Sequence, residues 1–163
     1  MEIDFGGFVK EYAADVLATL CVDHGVKYGL INLGGDIKVV GPHPDQKPWR
    51  VGIQHPRKPG NAIATLEMMA GGIATSGDYE RYMIIDGKRY SHLLNPTTGQ
   101  SIAPYYASVS VVADACLLAG SFASIAMLKS QEDRHWLDDV GVPYLSVDQN
   151  MELSGSLRRE ENR

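Results

Sequence analysis

"KYGLINLGGDIKVVG", residues 27–41, is the stretch on which the fold turns. Two runs of alternating and β-branched apolar residues flank Gly34-Gly35-Asp36. A glycine pair supplies the positive φ angles of a tight hairpin turn, so the two runs are expected to be adjacent antiparallel strands. The same reading extends along the chain. "WRVGIQHP" (49–56) and "AIATLEMM" (62–69) are two more strands, joined by the turn residues of "RKPGN". Asp86-Gly87 marks a further hairpin, "YYASVSVVA" (105–113) is a long strand, and "PYLSVD" (143–148) is the last one expected.

Helices fill the remainder. From Gly7 to His24, apolar residues recur at Phe8, Val9, Tyr12, Ala13, Val16, Leu17, Leu20 and Cys21. That spacing predicts an amphipathic helix with the apolar stripe inward and Lys10, Glu11, Asp15 and Asp23 on the polar face. Gly25 ends it. "ADACLLAGSFASIAMLK" (113–129) reads as a helix of unusually small side chains, with no charge between Asp114 and Lys129. Ala115, Ala119 and Ala123, with Cys116, Gly120 and Ser124 beside them, repeat every four residues and make one flat face for a close neighbour. "DRHWLDDVG" (133–141) is a short helix. Strands joined by hairpins and flanked by helices give an α+β domain with a largely antiparallel sheet. One domain over 1–155 with a solvated tail at 156–163 is the expected organisation.

A net charge of −5 and scattered basic residues exclude a nucleic-acid partner, which requires a basic face. No apolar run reaches the length of a membrane span, and Met1 is followed by Glu2 and Asp4, so no export signal is read. Cys21 and Cys116 form no CxxC and are expected as two buried thiols.

Four segments could carry chemistry. In "DFGG" (4–7), Asp4 is a candidate N-cap, and the glycines open a helix start to an anion that Lys10 could reach; a plain capped helix is the structural alternative. "NLGGDI" (32–37) is a hairpin turn or a cofactor-contacting loop. In "TSGDYERY" (75–82), Ser76, Gly77 and Asp78 are read as a turn, with Thr75 and Ser76 as donors to a phosphate or a flavin edge. In "YSHLLNPTTGQ" (90–100), His92 is either a satisfied polar group or a general base for a hydroxyl nucleophile. His24, His43, His55 and His135 form no metal-binding pattern.

Taken in order, "DFGGFVKEYAAD", "INLGGDI", "ATSGDYERY", "YSHLLNPTTGQ" and "ASVSVVADACLLAGSFASIAML" resemble the ApbE family of FAD:protein FMN transferases. The resemblance runs from Asp4 to Leu128. It implies a T-fold-like domain that cleaves FAD between its phosphates, with magnesium, and moves FMN onto a Thr or Ser hydroxyl of a membrane-linked electron-transfer protein, releasing AMP. It implies that Asp4 and Lys10 contact FAD, that the Gly7 carbonyl and the Ser124 hydroxyl hold the metal, that His92 is the base, and that the backbone at Leu94 touches the cofactor. The family's metal aspartate aligns with Gly120, and a position acidic in some members aligns with Ala123. Family members carry about as many residues again before the aspartate-glycine motif, with an export or lipoprotein signal in many. The expectation is therefore an N-terminal half absent here, a periplasmic or membrane-associated setting, and an exposed apolar edge that favours a homo-oligomer.

Overall fold

The computed structural model describes residues 5–79, 81–95, 97–129 and 131–158. Strands β1 (Gly29–Leu33) and β2 (Asp36–Gly41) form the expected hairpin, with Gly34 and Gly35 at φ 63° and 101°. They open a sheet that continues through β5 (Gly72–Gly77), β8 (Tyr106–Ala113), β9 (Tyr144–Asp148) and β10 (Leu153–Ser154), every neighbour antiparallel. Strands β3 (Trp49–Gln54) and β4 (Ala62–Met68) pair with each other, as do β6 (Tyr82–Ile85) and β7 (Lys88–Ser91). Asp86 and Gly87 turn the β6–β7 hairpin, both with positive φ. The fold is α+β, as expected.

Alternation along β5 and β8 splits the core into two layers, because successive strand residues face opposite sides. Ala74, Val109 and Val111 face the helices α1 (Val9–Asp23) and α2 (Cys116–Leu128). Ile73 and Val112 face the β3–β4 hairpin, whose Val51, Ile53, Leu66 and Met68 close the other side. The small face of α2 lies on the sheet and on α1: Cys116, Ala119, Gly120 and Ala123 are buried. The contact is close enough that a Cβ on Gly72 would sit 2.7 Å from the Cys116 backbone. A short helix, α3 (Trp136–Val140), precedes β9.

Several expectations are corrected. The N-cap position of α1 falls at Phe8, without a side-chain cap; Asp4, the candidate N-cap, lies outside the described residues. The helix is also turned the opposite way from its apolar periodicity. Val9, Tyr12, Val16, Leu17 and Leu20 are exposed, whereas Glu11, Ala14 and Ala18 are buried. Small residues let α1 approach the sheet and α2, and two acids of the expected polar face, Glu11 and Asp15, turn inward with them. Asp15 is one of them: its two carboxylate oxygens accept from the backbone N–H groups of Cys116 and Leu117, each at 2.9 Å. Lys38 stands 3.8 Å from Asp15 and also donates to the Asp114 carbonyl. Ser76 and Gly77 are strand residues, not a turn, held by pairing with Val109 and Ser108. Strand β10 was not expected, and Leu157 packs on the hairpin-side core, so the tail does not begin at residue 156. Cys116 is buried, its thiol pushed up to about 12 by burial, while Cys21 is only half-buried.

Two consequences are measurable. Asp15→Ala is expected to cost about 2 kcal/mol, because two N–H groups at the start of α2 lose a charged acceptor; chemical denaturation reads this, and an unchanged midpoint would remove the clamp. At concentrations where the chain is monomeric, Leu17→Asn and Leu20→Asn are each expected to change stability by no more than about 0.5 kcal/mol, as exposed positions do. A large loss in either would mean that this side of α1 is packed.

Candidate functional site

A cleft of about 380 Å³ opens where the start of α1, the end of β5, α2 and the β6–β7 hairpin meet. Gly6 and Gly7 line it from the turn before α1, Lys10 and Glu11 from α1, Thr75 and Ser76 from β5, Ser124 from α2, and Arg81, His92 and Leu93 from the segments on either side of the hairpin. Residues from four distant parts of the sequence thus share one wall, and most of the singled-out positions are among them.

Each arrives for a local reason. The turn before α1, in which Phe8 and Val9 donate to the Phe5 carbonyl, brings Gly6 and Gly7 to the cleft. Ser76 faces the helix layer and its Oγ lies 3.2 Å from Ser124 Oγ. Thr75, one residue earlier, bonds Ser110 across the strand at 2.7 Å, and its backbone N–H donates to Asp36 Oδ1. It also lines a second hollow on the hairpin side, with Asp36, Val51 and Ile53. His92 follows β7, where its backbone N–H and ring Nδ1 both meet the Arg81 carbonyl, at 3.2 and 3.1 Å. A carbonyl only accepts, so Nδ1 carries the proton and Nε2 is left as the basic atom.

Leu94 is 55% exposed and pairs with Ser101; its neighbour Leu93, rather than Leu94, lines the cleft. The loop that follows is held by Asn95, whose side-chain oxygen accepts from Thr97 and Thr98. Asp78, read as part of the same motif as Ser76, is turned away. It is buried in a two-bonded pair with Arg57, at 2.6 and 2.8 Å, and also accepts from Gln149.

Two acids beneath the cleft complete it. Asp36 is 2% exposed, and the Lys10 ammonium lies 2.5 Å from its Oδ2, close enough to neutralise it although not directed as a hydrogen bond. Glu11 is 7% exposed, and its Oε2 has no hydrogen-bond partner among the described residues. Reading α1 as an ordinary amphipathic helix hides Glu11; the signal that could find it is the glycine facing it on α2, which only the fold brings near.

Burial pushes the Glu11 carboxyl above the usual carboxylate range, and the charge of Asp36 adds to the shift. A raised folded-state value means stability that is present below the ordinary value of 4.5 and is lost as pH rises through the folded one. Glu11→Gln, which does not titrate, is therefore expected to raise the thermal midpoint at neutral pH in metal-free buffer. The two proteins should converge below pH 4.5. A Glu11→Gln midpoint lower than the parent's at neutral pH would contradict this.

Magnesium takes oxygen ligands and keeps several waters or substrate phosphates, so it needs only one or two carboxylates. The cleft presents the hydroxyls of Ser76 and Ser124, the backbone at Gly7 and an orphaned buried carboxylate oxygen. That donor set fits such an ion. No group of three or more His, Cys, Asp or Glu is assembled to hold one without further ligands, among the described residues. No helix among them is long and apolar enough to cross a membrane.

The ApbE family profile matches residues 1–145. The chain is 38% identical over 131 residues to an FAD:protein FMN transferase of Klebsiella pneumoniae, covering 80% of this chain and 37% of that protein. Among solved structures, the ApbE protein of Thermotoga maritima superposes with a TM-score of 0.86 at 30% identity, covering 96% of this chain and 52% of that one. The flavin transferase ApbE of Vibrio cholerae gives 0.78 at 28% identity, covering 95% and 50%. The chain thus spans between about a third and a half of these relatives' length.

Proposed function

This chain belongs to the ApbE family, and on that premise we propose that it acts in FAD:protein FMN transfer. The substrate is FAD, and the acceptor is a Thr or Ser hydroxyl of a membrane-linked electron-transfer protein. The acceptor oxygen bonds to the phosphorus of the FMN moiety, the bond between the two phosphates breaks, and AMP leaves with the bridging oxygen. The observation that carries this reading is the convergence on one cleft of a glycine-rich helix start, serine hydroxyls and a histidine whose Nδ1 is held by a carbonyl.

His92 Nε2 takes the proton of the acceptor hydroxyl, with the ring held through Nδ1 by the Arg81 carbonyl. Lys10, beside Asp36, and the backbone at Gly6 and Gly7 position the diphosphate. Asp4 and the backbone at Leu94 are assigned to FAD contact, and Thr75 and Ser76 to the phosphate or flavin edge. Magnesium, held by the Gly7 carbonyl and the Ser124 hydroxyl, would draw charge from the phosphates during transfer. The exposed stripe of α1, with Leu118, Ile125 and Leu128 of α2, supports self-association. Sedimentation of the parent chain and of a Leu17→Asn/Leu20→Asn variant tests that: equal, monomeric profiles would reject it.

The absence of a carboxylate at Gly120 favours one other reading, a relative that holds FAD without cleaving it. Incubation with FAD, magnesium and an acceptor bearing the flavinylation motif separates the two. Flavin fluorescence that survives a denaturing gel supports transfer. FAD binding without label supports the binder. Neither binding nor label rejects both and leaves an interaction domain.

A further inference from the structure

The place where a residue-120 side chain would go is already filled. A Cβ built on Gly120 would lie 2.6 Å from Glu11 Cγ, 3.0 Å from Cδ and 2.9 Å from Oε1. Real side chains do not approach so closely, so the Glu11 arm from α1 occupies the space that a carboxylate on α2 would need. Gly120 and Ser124 are four apart and share one face of α2, so the Glu11 carboxylate enters at the position next to the Ser124 hydroxyl. Both line the cleft.

We infer that Glu11 supplies from α1 the carboxylate oxygen that α2 lacks, and that it is a ligand of a divalent cation in the cleft together with Ser124. This rests on the metal-assisted transfer reading above. Two independent observations converge on it. Buried carboxylates are paired or hold metals, yet Glu11 Oε2 has no hydrogen-bond partner among the described residues. The nearby ammonium groups make ion pairs with other acids, Lys10 with Asp36 and Lys38 with Asp15, and the charge of Lys10 also reaches Glu11. The second observation is the glycine itself. Glycine inside a helix is unfavourable, and here it has a reason: any side chain at 120 would meet Glu11. The acid at 11 and the glycine at 120 are therefore one device, in which the glycine leaves the room that the Glu11 carboxylate fills.

A consequence follows for the obvious repair. Gly120→Asp alone places a second acid against Glu11 and is expected to weaken the site instead of strengthening it. Glu11→Ala removes the arm, and Gly120→Asp then has room.

Mn2+ is the probe, titrated against the chain by its electron paramagnetic resonance signal with and without FAD; circular dichroism checks the fold of each variant. The parent chain is expected to bind Mn2+. Glu11→Gln, nearly isosteric, is expected to weaken binding ~10-fold or more. Gly120→Asp is expected to bind less well than the parent, and Glu11→Ala/Gly120→Asp to recover to within about threefold of it, a non-additivity expected of contacting residues. No Mn2+ binding by the parent in either condition overturns the inference, as does parental affinity in Glu11→Gln. A double variant that folds but binds no better than Glu11→Ala also overturns it; if it does not fold, Glu11→Gln decides. FAD binding, followed by flavin fluorescence without metal, is a separate readout. Mn2+ binding that depends on Glu11 with no FAD binding would sink the transferase reading and leave this one standing.

Discussion

His92→Ala is expected to lower covalent flavin labelling of the acceptor by about 10²–10⁴-fold, the usual worth of a positioned base. FAD affinity should stay within about twofold, because the role proposed for the imidazole is exercised on the acceptor and not on the nucleotide. The structure makes this a clean substitution. His92 is exposed, so truncation leaves no hole. Its backbone N–H bonds the Arg81 carbonyl independently of the ring, so the register of the hairpin survives. What disappears is the imidazole whose Nδ1 is tied to that carbonyl and whose Nε2 is left to accept a proton. Labelling at the parental rate would remove His92 from the chemistry. Equal losses of labelling and FAD affinity would make it a binding residue.

The largest effect on stability is expected at Asp78. Asp78→Ala should cost about 3 kcal/mol, below the upper range for breaking a fully buried pair because Arg57 is partly exposed. The Asp78 carboxylate joins three segments: the end of β5, the turn after β3 through Arg57, and the loop between β9 and β10 through Gln149. Its hydrogen bonds raise the Arg57 guanidinium above its already high ordinary value, and a guanidinium keeps its proton in a protein even alone, so the charge is left without its partner when Asp78 goes. For a chain of this length the thermal midpoint should fall by roughly 6–12 °C. In an Arg57→Ala background, the same Asp78→Ala change should cost markedly less, because the two effects share one interaction. Equal costs in both backgrounds would show that the pair contributes nothing of its own.

How far the fold was legible can be read from such residues. Gly34-Gly35 and Asp86-Gly87 announced their hairpins because a positive φ is a local requirement that few residues meet. The strands showed their alternation, and the small face of α2 correctly demanded a close neighbour. Where local chemistry and pairing compete, pairing prevailed: Ser76-Gly77 look like a turn and lie in a strand because β8 offers them partners. Helix α1 misled for the opposite reason. Its large apolar residues mark a stripe, but nothing local states whether that stripe meets this domain or another surface. Alanines and two acids settled which side went inward. The motifs of the site were visible singly, and the fold brought most of them to one cleft. The relation between Glu11 and Gly120 was not visible, since it exists only once two helices far apart in sequence are packed together.

The Asp15 clamp has a bearing on where an anion can settle. A helix carries partial positive charge at its first turn, and at α2 that end already faces a carboxylate, through the Cys116 and Leu117 amides. A phosphate there would have to displace a negative group of the protein itself. Of the two long helices, α1 is the one that begins beside the cleft, just after Gly6 and Gly7. The clamp thus assigns the helices different electrostatic duties: at α2 the positive end holds the domain together, and α1 keeps its own turned toward the cleft.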